Sequence, residues 1–254
     1  MLIENSTKQK LQDGQAVYGC FFRYDAPTLA EFVAMQGWDF MLLDAEHGSV
    51  DPQAMEGFAR ACELHGVTPL ARVTTNEHPV ILRFLDAGAH GVQVPWVNTA
   101  AEVEQVVQAA KYQPRGERGL AGSRQGGWGN TEPLADYTVR ANRETLVVIH
   151  IETAEAAEAV EEYTAVDGVD VLFIGPTDLS HSLGHPANPG HPDVQKVMTR
   201  VSGIVNASDK ALGIFAPTPA AAMEWHERGA RYFTAGFEGI IKQGMESYLS
   251  PVRG

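Results

Sequence analysis

At 254 residues the chain is long enough to bury a substantial core, as one large α/β barrel or as two small domains. Its 32 acids against 19 bases give a formal net charge of −13, and with no Lys/Arg run this speaks against nucleic acid and anionic membrane surfaces as partners. Cys20 and Cys62, its two cysteines, each lie in an apolar or helical stretch and suit reduced thiols in a cytoplasmic protein. The first ten residues lack the apolar segment of a signal peptide, and no later window is long and apolar enough to span a bilayer.

Along the chain, short apolar runs alternate with segments of helical period. The candidate strands are Val17–Phe21, Phe40–Leu43, Pro69–Val73, Gly91–Pro95, Leu146–Ile151, Val169–Ile174, Ala211–Phe215 and Arg231–Ala235, most of them rich in β-branched or aromatic residues. Between them lie amphipathic stretches, Pro52–Leu64, Ala100–Lys111, Thr153–Tyr163, Pro192–Ser208 and Pro219–Arg228, several opening with Pro and closing near Gly as helices do. Such alternation requires parallel pairing. Eight units in this length predict a closed (β/α)8 barrel of the TIM type, and no G-x-G-x-x-G follows the first strand to suggest an open nucleotide-binding sheet. No shift in composition marks a boundary, so residues 1–254 are expected to form one domain. The interval Tyr112–Thr145 breaks the rhythm with Pro114–Gly119 and Gly126–Asn130, and its length predicts a functional or disordered excursion.

In a parallel barrel the strand C-termini share one face, where Asp44, Glu46, His47, Arg72, Glu152 and Asp178 would converge. Glu152 and Asp178 end sequential strands, whose backbones run about 4.8 Å apart, and a magnesium ion needs oxygens at roughly 2.1 Å, so both reach one ion. Two carboxylates without an evident His or Cys partner favour Mg²⁺ or Mn²⁺ over zinc, with Co²⁺ as a substitute. Taken singly each acid is better explained as a helix-end residue, Asp178 as the cap of a helix around Leu179–Leu183; together at one rim they indicate a metal site. His47 is a candidate general base with Asp44 as its orienting partner, and Glu46 is assigned to the cation's water. Arg72 either forms an ion pair with Glu46 or Asp44 or supports an enolate or carboxylate oxygen. His181, His185 and His191 resemble metal spacing, but they lie in a loop and at a helix start and are expected to be solvated and metal-free. The run Gly126–Asn130 is not a P-loop, and Trp128 within it either covers the substrate or packs.

With these residues placed, the chain resembles the HpcH/HpaI family, the metal-dependent class II pyruvate aldolases acting on 4-hydroxy-2-oxo acids. The resemblance spans almost the whole length and is carried by Leu43-Asp44-Ala45-Glu46-His47, Ala71-Arg72-Val73, Leu85-Asp86-Ala87-Gly88-Ala89, Val94-Pro95-Trp96-Val97, Pro114–Gly119, Ile151-Glu152-Thr153 and Ile174 to Ser180. It implies that Glu152 and Asp178 ligate the divalent ion, that His47 with Asp44 is the base, and that Arg72 steadies the enolate. It further implies that the turn Gly175-Pro176-Thr177-Asp178 holds the pyruvate carboxylate, with backbone amides near Thr177 and Asp178. By the same resemblance Asp86 reaches a neighbouring subunit's site, and the last helix swaps between barrels in a hexamer built as a trimer of dimers. The departures concern substrate: His150 stands where some relatives carry Gln, Phe215 occupies a pocket position that is often aliphatic, and Glu238 lies near a point where Asp is common.

The expected reaction is reversible retro-aldol cleavage of a 4-hydroxy-2-oxo acid to pyruvate and an aldehyde through a metal-stabilised pyruvate enolate. His47 removes the C4 hydroxyl proton, and Arg72 stabilises the negative charge. The alternatives are an acyl-CoA lyase of the malyl- or citramalyl-CoA type, which needs a basic groove where only Arg115 and Arg118 cluster, and a non-catalytic oxoacid-binding barrel, which leaves the base unexplained.

Overall fold

The structure is a computed structural model and describes residues 4–253. In chain order its elements are α1 (Ser6–Gln12), β1 (Val17–Phe22), α2 (Pro27–Ala34), β2 (Phe40–Asp44), α3 (Pro52–Glu63), β3 (Thr68–Arg72), α4 (His78–Ala87), β4 (Gly91–Val94) and α5 (Ala100–Ala110). They continue with α6 (Leu134–Glu144), β5 (Leu146–Ile151), α7 (Ala154–Glu158), α8 (Val160–Thr164), β6 (Val171–Ile174), α9 (Pro176–Ser182), α10 (Pro192–Asn206), β7 (Ala211–Phe215), α11 (Pro219–Glu227), β8 (Tyr232–Gly236) and α12 (Phe237–Arg253). Each strand pairs in parallel with the next, and β8 closes on β1. The predicted closed barrel is present.

Strand bounds move by at most two residues from the predicted ones, the largest shift being at β6. There the Asp170 carboxylate accepts the Val147 N–H at 2.8 Å and the Lys8 ammonium at 2.9 Å, so a side chain takes the place of ladder bonds before Val171. The predicted helix Thr153–Tyr163 is broken at Ala159, whose φ of −84° and ψ of 3° leave the helical region. The interval Tyr112–Thr145 is ordered around α6: the buried Lys111 ammonium donates to the Asn142 and Thr145 carbonyls at 2.9 and 2.6 Å and satisfies the helix end. The pattern alone does not single out α2, α4 or α6; the apolar face of α4 becomes evident where it packs on α3 and α5.

Alternation along the strands sorts the core into two shells. Inward residues, among them Phe40, Leu42, Leu70, Val148, Val171 and Phe173, fill the barrel, while outward ones such as Met41, Leu43, Val147, Ile149 and Leu172 pack under the helices. Burying each of these side chains contributes roughly 1.5–3 kcal/mol. Phe40 stacks on Tyr232 with centroids 4.4 Å apart, and Gly19 is required beside them because a Cβ there would stand 2.1 Å from the Phe40 ring. Carried to the strand ends, the same period turns Asp44, Arg72, Gln93 and His150 inward. Among the described residues no helix is long and apolar enough to cross a membrane.

On the outside, Glu63 at the end of α3 accepts from both terminal nitrogens of Arg124, at 3.2 and 2.8 Å. Burial pushes its carboxyl up, but the His90 and Arg124 hydrogen bonds outweigh this and hold it at about 2. Because the folded value lies below the ordinary 4.5, the stabilisation is complete above that pH and is lost as pH falls towards 2. Glu63→Gln is therefore expected to lower the melting temperature by several degrees at pH 7, and the gap from the parent should narrow by about half at pH 3. Thermal melts followed by circular dichroism check it; a pH-independent gap assigns the loss to packing instead.

Candidate active site

A cavity of about 240 Å³ opens at the C-terminal end of the barrel and is lined by His47, Arg72, His150, Glu152, Phe215 and the turn Gly175 to Asp178. Phe21, Arg23, Phe173 and Gly236 complete its wall. A larger groove of about 860 Å³, bordered by Trp38, Met223 and Phe233, contains none of the predicted site residues. Most of the predicted site residues line the smaller cavity.

Asp44 and Arg72 are the last residues of β2 and β3 and stand opposite each other in register. Arg72 grips the Asp44 carboxylate with two parallel bonds, Nε to Oδ1 at 2.8 Å and Nη2 to Oδ2 at 2.7 Å, and its Nη1 lies 3.1 Å from Glu46 Oε2. The guanidinium also sits 4.6 Å from the Phe21 ring centroid, which fixes its plane. Burial pushes the Asp44 carboxyl up, but the Arg72 hydrogen bonds and charge, aided by the His47 peptide N–H and Arg23, hold it below its ordinary range. The predicted pairing of Asp44 with the His47 ring is not what the structure contains. Asp44 accepts the His47 backbone N–H at 3.2 Å, because its remaining lone pairs are taken by Arg72 and by Arg23 at 3.0 Å. His47 is exposed and lines the cavity.

Glu152 follows β5 directly and is buried with both oxygens held. The Trp96 peptide N–H donates to Oε1 at 2.7 Å, and His150 Nδ1 lies 2.5 Å from Oε2. Burial raises its carboxyl, but the His150 contact, the Trp96 N–H and Arg72 outweigh that and leave it below its ordinary range. The expectation of carboxylates without a histidine partner is thus corrected for Glu152: the i, i+2 spacing puts His150 on the same inward row. Trp96 takes up φ 56°, a left-handed conformation unusual for a non-glycine residue, and its indole N–H donates to Glu46 Oε1 at 2.9 Å. Glu46 therefore belongs to Trp96 and Arg72. Burial, with Glu152 as a repelling neighbour, pushes its carboxyl up despite Arg72.

Asp178 sits in the first turn of α9, whose N-cap is Gly175, rather than capping a later helix. Gly175 N–H donates to the Ile151 carbonyl at 3.1 Å, which brings the turn against β5. A Cβ on Gly175 would stand 3.0 Å from both Cβ and Oε2 of Glu152. Gly175→Ala is expected to displace that carboxylate and weaken divalent-cation binding by about 10–100-fold with little loss of fold, measured by titration calorimetry with Mn²⁺. An unchanged affinity would mean that the turn yields instead.

Asp86 lies outside the cavity, near the end of α4, with its carboxylate 2.7 Å from Arg118 Nη2. It does not line the cavity of its own barrel. The histidines are partly gathered: His185 and His191 stack at 3.5 Å, and with Asp193 they bring three candidate metal-ligand atoms within 4.8 Å of one another, while His181 stays apart. His191 Nδ1 accepts the Asp193 N–H at 3.2 Å and caps α10, at the helix end whose dipole disfavours a cation. Arg23 and Gln93 join the site unforeseen, and Trp96, part of the Val94–Val97 motif, takes a role beside Glu152 and Glu46 that the motif does not state; the polar Gln93 between outward Val92 and Val94 is the signal in the sequence.

Residues 17–242 match the family model described as HpcH/HpaI aldolase/citrate lyase. The 5-keto-4-deoxy-D-glucarate aldolase of Shigella boydii serotype 18 is 34% identical over 243 residues, covering 95% of this chain and 94% of that one. Among solved structures, an HpcH/HpaI aldolase/citrate lyase family protein from Burkholderia cenocepacia J2315 superposes with a TM-score of 0.93 at 33% identity, over 98% of this chain and all of that one. The citrate synthase SbnG superposes with a TM-score of 0.88 at 29% identity, over 98% of each chain. With a match running nearly the length of the barrel and an acid-lined mouth at its C-terminal end, the chain belongs to the HpcH/HpaI aldolase/citrate lyase family and is an enzyme of the aldolase class.

Proposed function

We propose that the chain is a class II pyruvate aldolase that reversibly cleaves a 4-hydroxy-2-oxo acid to pyruvate and an aldehyde. The observation carrying this reading is that Glu152 and Asp178 line one small cavity together with His47 and Arg72. The donor set suits a hard divalent cation: two carboxylates face one space, Glu152 is held in its charged form, and no protein group among the described residues hydrogen-bonds the Asp178 side chain. Held by Glu152 and Asp178, Mg²⁺, Mn²⁺ or Co²⁺ would supply Lewis acidity to the 2-oxo acid. His47, exposed at the rim, takes the C4 hydroxyl proton as the C3–C4 bond breaks, and returns it in the reverse direction. Arg72 turns its remaining N–H groups to the enolate oxygen, oriented by Asp44 behind it. The amides of the turn Gly175 to Asp178 hold the carboxylate, and His150 and Phe215 border the space for the aldehyde.

A screen of 4-hydroxy-2-oxo acids with different tails, headed by 5-keto-4-deoxy-D-glucarate from the name of the curated relatives, tests the reading through pyruvate release with and without each cation. Release that ignores the cation, or none from any acid, sinks it. Malyl-CoA serves as the contrasting substrate. Arg115 is paired with Asp167 and the buried Arg118 with Asp86, so the bases that an acyl-CoA lyase would turn to phosphates are engaged elsewhere.

The chain acts as one aldolase domain over 1–254, in the cytoplasm, as a homo-oligomer in which α12 swaps between barrels. In support, α12 contains no buried residue although Ile240, Ile241, Met245, Tyr248 and Val252 lie along it, and Met223 is exposed beside the apolar groove. A hexamer built as a trimer of dimers would set Asp86 at a neighbour's mouth.

A further inference from the structure

Behind Glu152 the barrel interior contains a row of polar groups that the reaction as described does not use. Tyr232 of β8 and Gln93 of β4 are fully buried, and His150 and Glu152 nearly so. The Tyr232 hydroxyl donates to Gln93 Oε1 at 2.9 Å; Gln93 Nε2 lies 2.6 Å from His150 Nε2; and His150 Nδ1 lies 2.5 Å from Glu152 Oε2. An amide nitrogen only donates, so His150 Nε2 must present its lone pair to Gln93. A carboxylate only accepts, so the ring proton belongs on Nδ1. Turned the other way, the amide would set its oxygen against the Nε2 lone pair of the neutral ring, a clash that only a second ring proton on Nε2 would relieve. The ring is further confined by Phe173, stacked on it at 4.9 Å.

We propose that Gln93 and Tyr232 are positioning residues for the divalent-cation site: Tyr232 orients the Gln93 amide, Gln93 confines His150 to its Nδ1–H tautomer, and His150 thereby holds Glu152 where it meets the cation. The last step rests on the aldolase reading above; the tautomer does not. With the Trp96 N–H on the other oxygen, the ligand is held from two independent directions before any cation arrives. Preorganisation of this kind governs affinity at metal sites, since outer partners of a ligand typically change it by about 10–100-fold.

The test uses the full chain labelled with ¹⁵N-histidine, as the parent and as Gln93→Glu, Gln93→Leu, Tyr232→Phe and Glu152→Gln. Gln93→Glu keeps the shape but replaces the donor with an acceptor while Glu152 still accepts from Nδ1, so the His150 ring should carry protons on both nitrogens in long-range ¹H–¹⁵N spectra, whereas the parent carries one on Nδ1 alone. Mn²⁺ dissociation constants from calorimetry should rise about tenfold or more in both Gln93 variants and several-fold in Tyr232→Phe. Circular dichroism verifies the fold, and Gln93→Leu and Tyr232→Phe keep the test alive if the charged variant misfolds. A His150 ring that carries no proton on Nε2 in Gln93→Glu, or Mn²⁺ affinities within about twofold of the parent in the folded Gln93 variants, overturns the proposal. Parent Mn²⁺ binding that Glu152→Gln leaves untouched instead sinks the cation assignment, and with it the last step. That outcome is distinguishable because the tautomer is observed without metal.

Discussion

Glu152→Gln is expected to reduce cation-dependent pyruvate release by about 10³-fold or more while lowering the melting temperature by only a few degrees. The substitution preserves volume and removes one negative charge from a buried group that accepts on both oxygens, from Trp96 N–H and from His150. Glutamine has one acceptor and one donor there, so an NH₂ must face either the Trp96 N–H or the His150 N–H. An unmatched buried donor costs about 1–3 kcal/mol, which a domain of this size absorbs without unfolding. The loss of function is much larger because the carboxylate is one of two proposed ligands, and a cation held by Asp178 alone would be in rapid exchange. A lactate dehydrogenase-coupled assay and Mn²⁺ calorimetry on the same preparation measure both effects. Full turnover in this variant removes Glu152 from the site.

His47→Asn should separate chemistry from cation binding. The anchoring contact of residue 47 is made by its peptide N–H, which donates to Asp44 at 3.2 Å, and asparagine retains it. The imidazole itself is exposed at the rim, so its removal leaves no buried hole. Turnover is expected to fall by about 10²–10⁴-fold, the range for a positioned general base, with Mn²⁺ affinity within about twofold of the parent. If both fall together, His47 serves the cation; if neither falls, the base lies elsewhere in the cavity. Asp44 is engaged by Arg72 and Arg23 and accepts only the peptide N–H of residue 47, so removing the imidazole leaves the Asp44 contacts in place.

The eight-strand rhythm was legible in the sequence because apolar runs alternating with helical period admit parallel pairing and little else, and β5 and β7 match their predicted bounds. The rim residues Asp44, Arg72, Glu152 and Asp178 were legible for the same reason: each closes or follows a strand, and barrel strands end on one face. Partner choice was legible only in part: the ion pairs of Arg72 with Asp44 and Glu46 were one of its two expected readings. Asp44 bonds Arg72 and Arg23 instead of the His47 ring, and Glu46 bonds Trp96, because a carboxylate goes to whichever donors the closed barrel brings within about 3 Å. The order in Tyr112–Thr145 was hidden likewise, since the contacts holding it, Lys111 with the Asn142 and Thr145 carbonyls, join residues about thirty positions apart. Strand period and strand end are local properties, and the residues themselves state them. The row from Tyr232 through Gln93 and His150 to Glu152 draws on β8, β4 and β5, and only closure of the barrel makes neighbours of side chains that far apart in the chain.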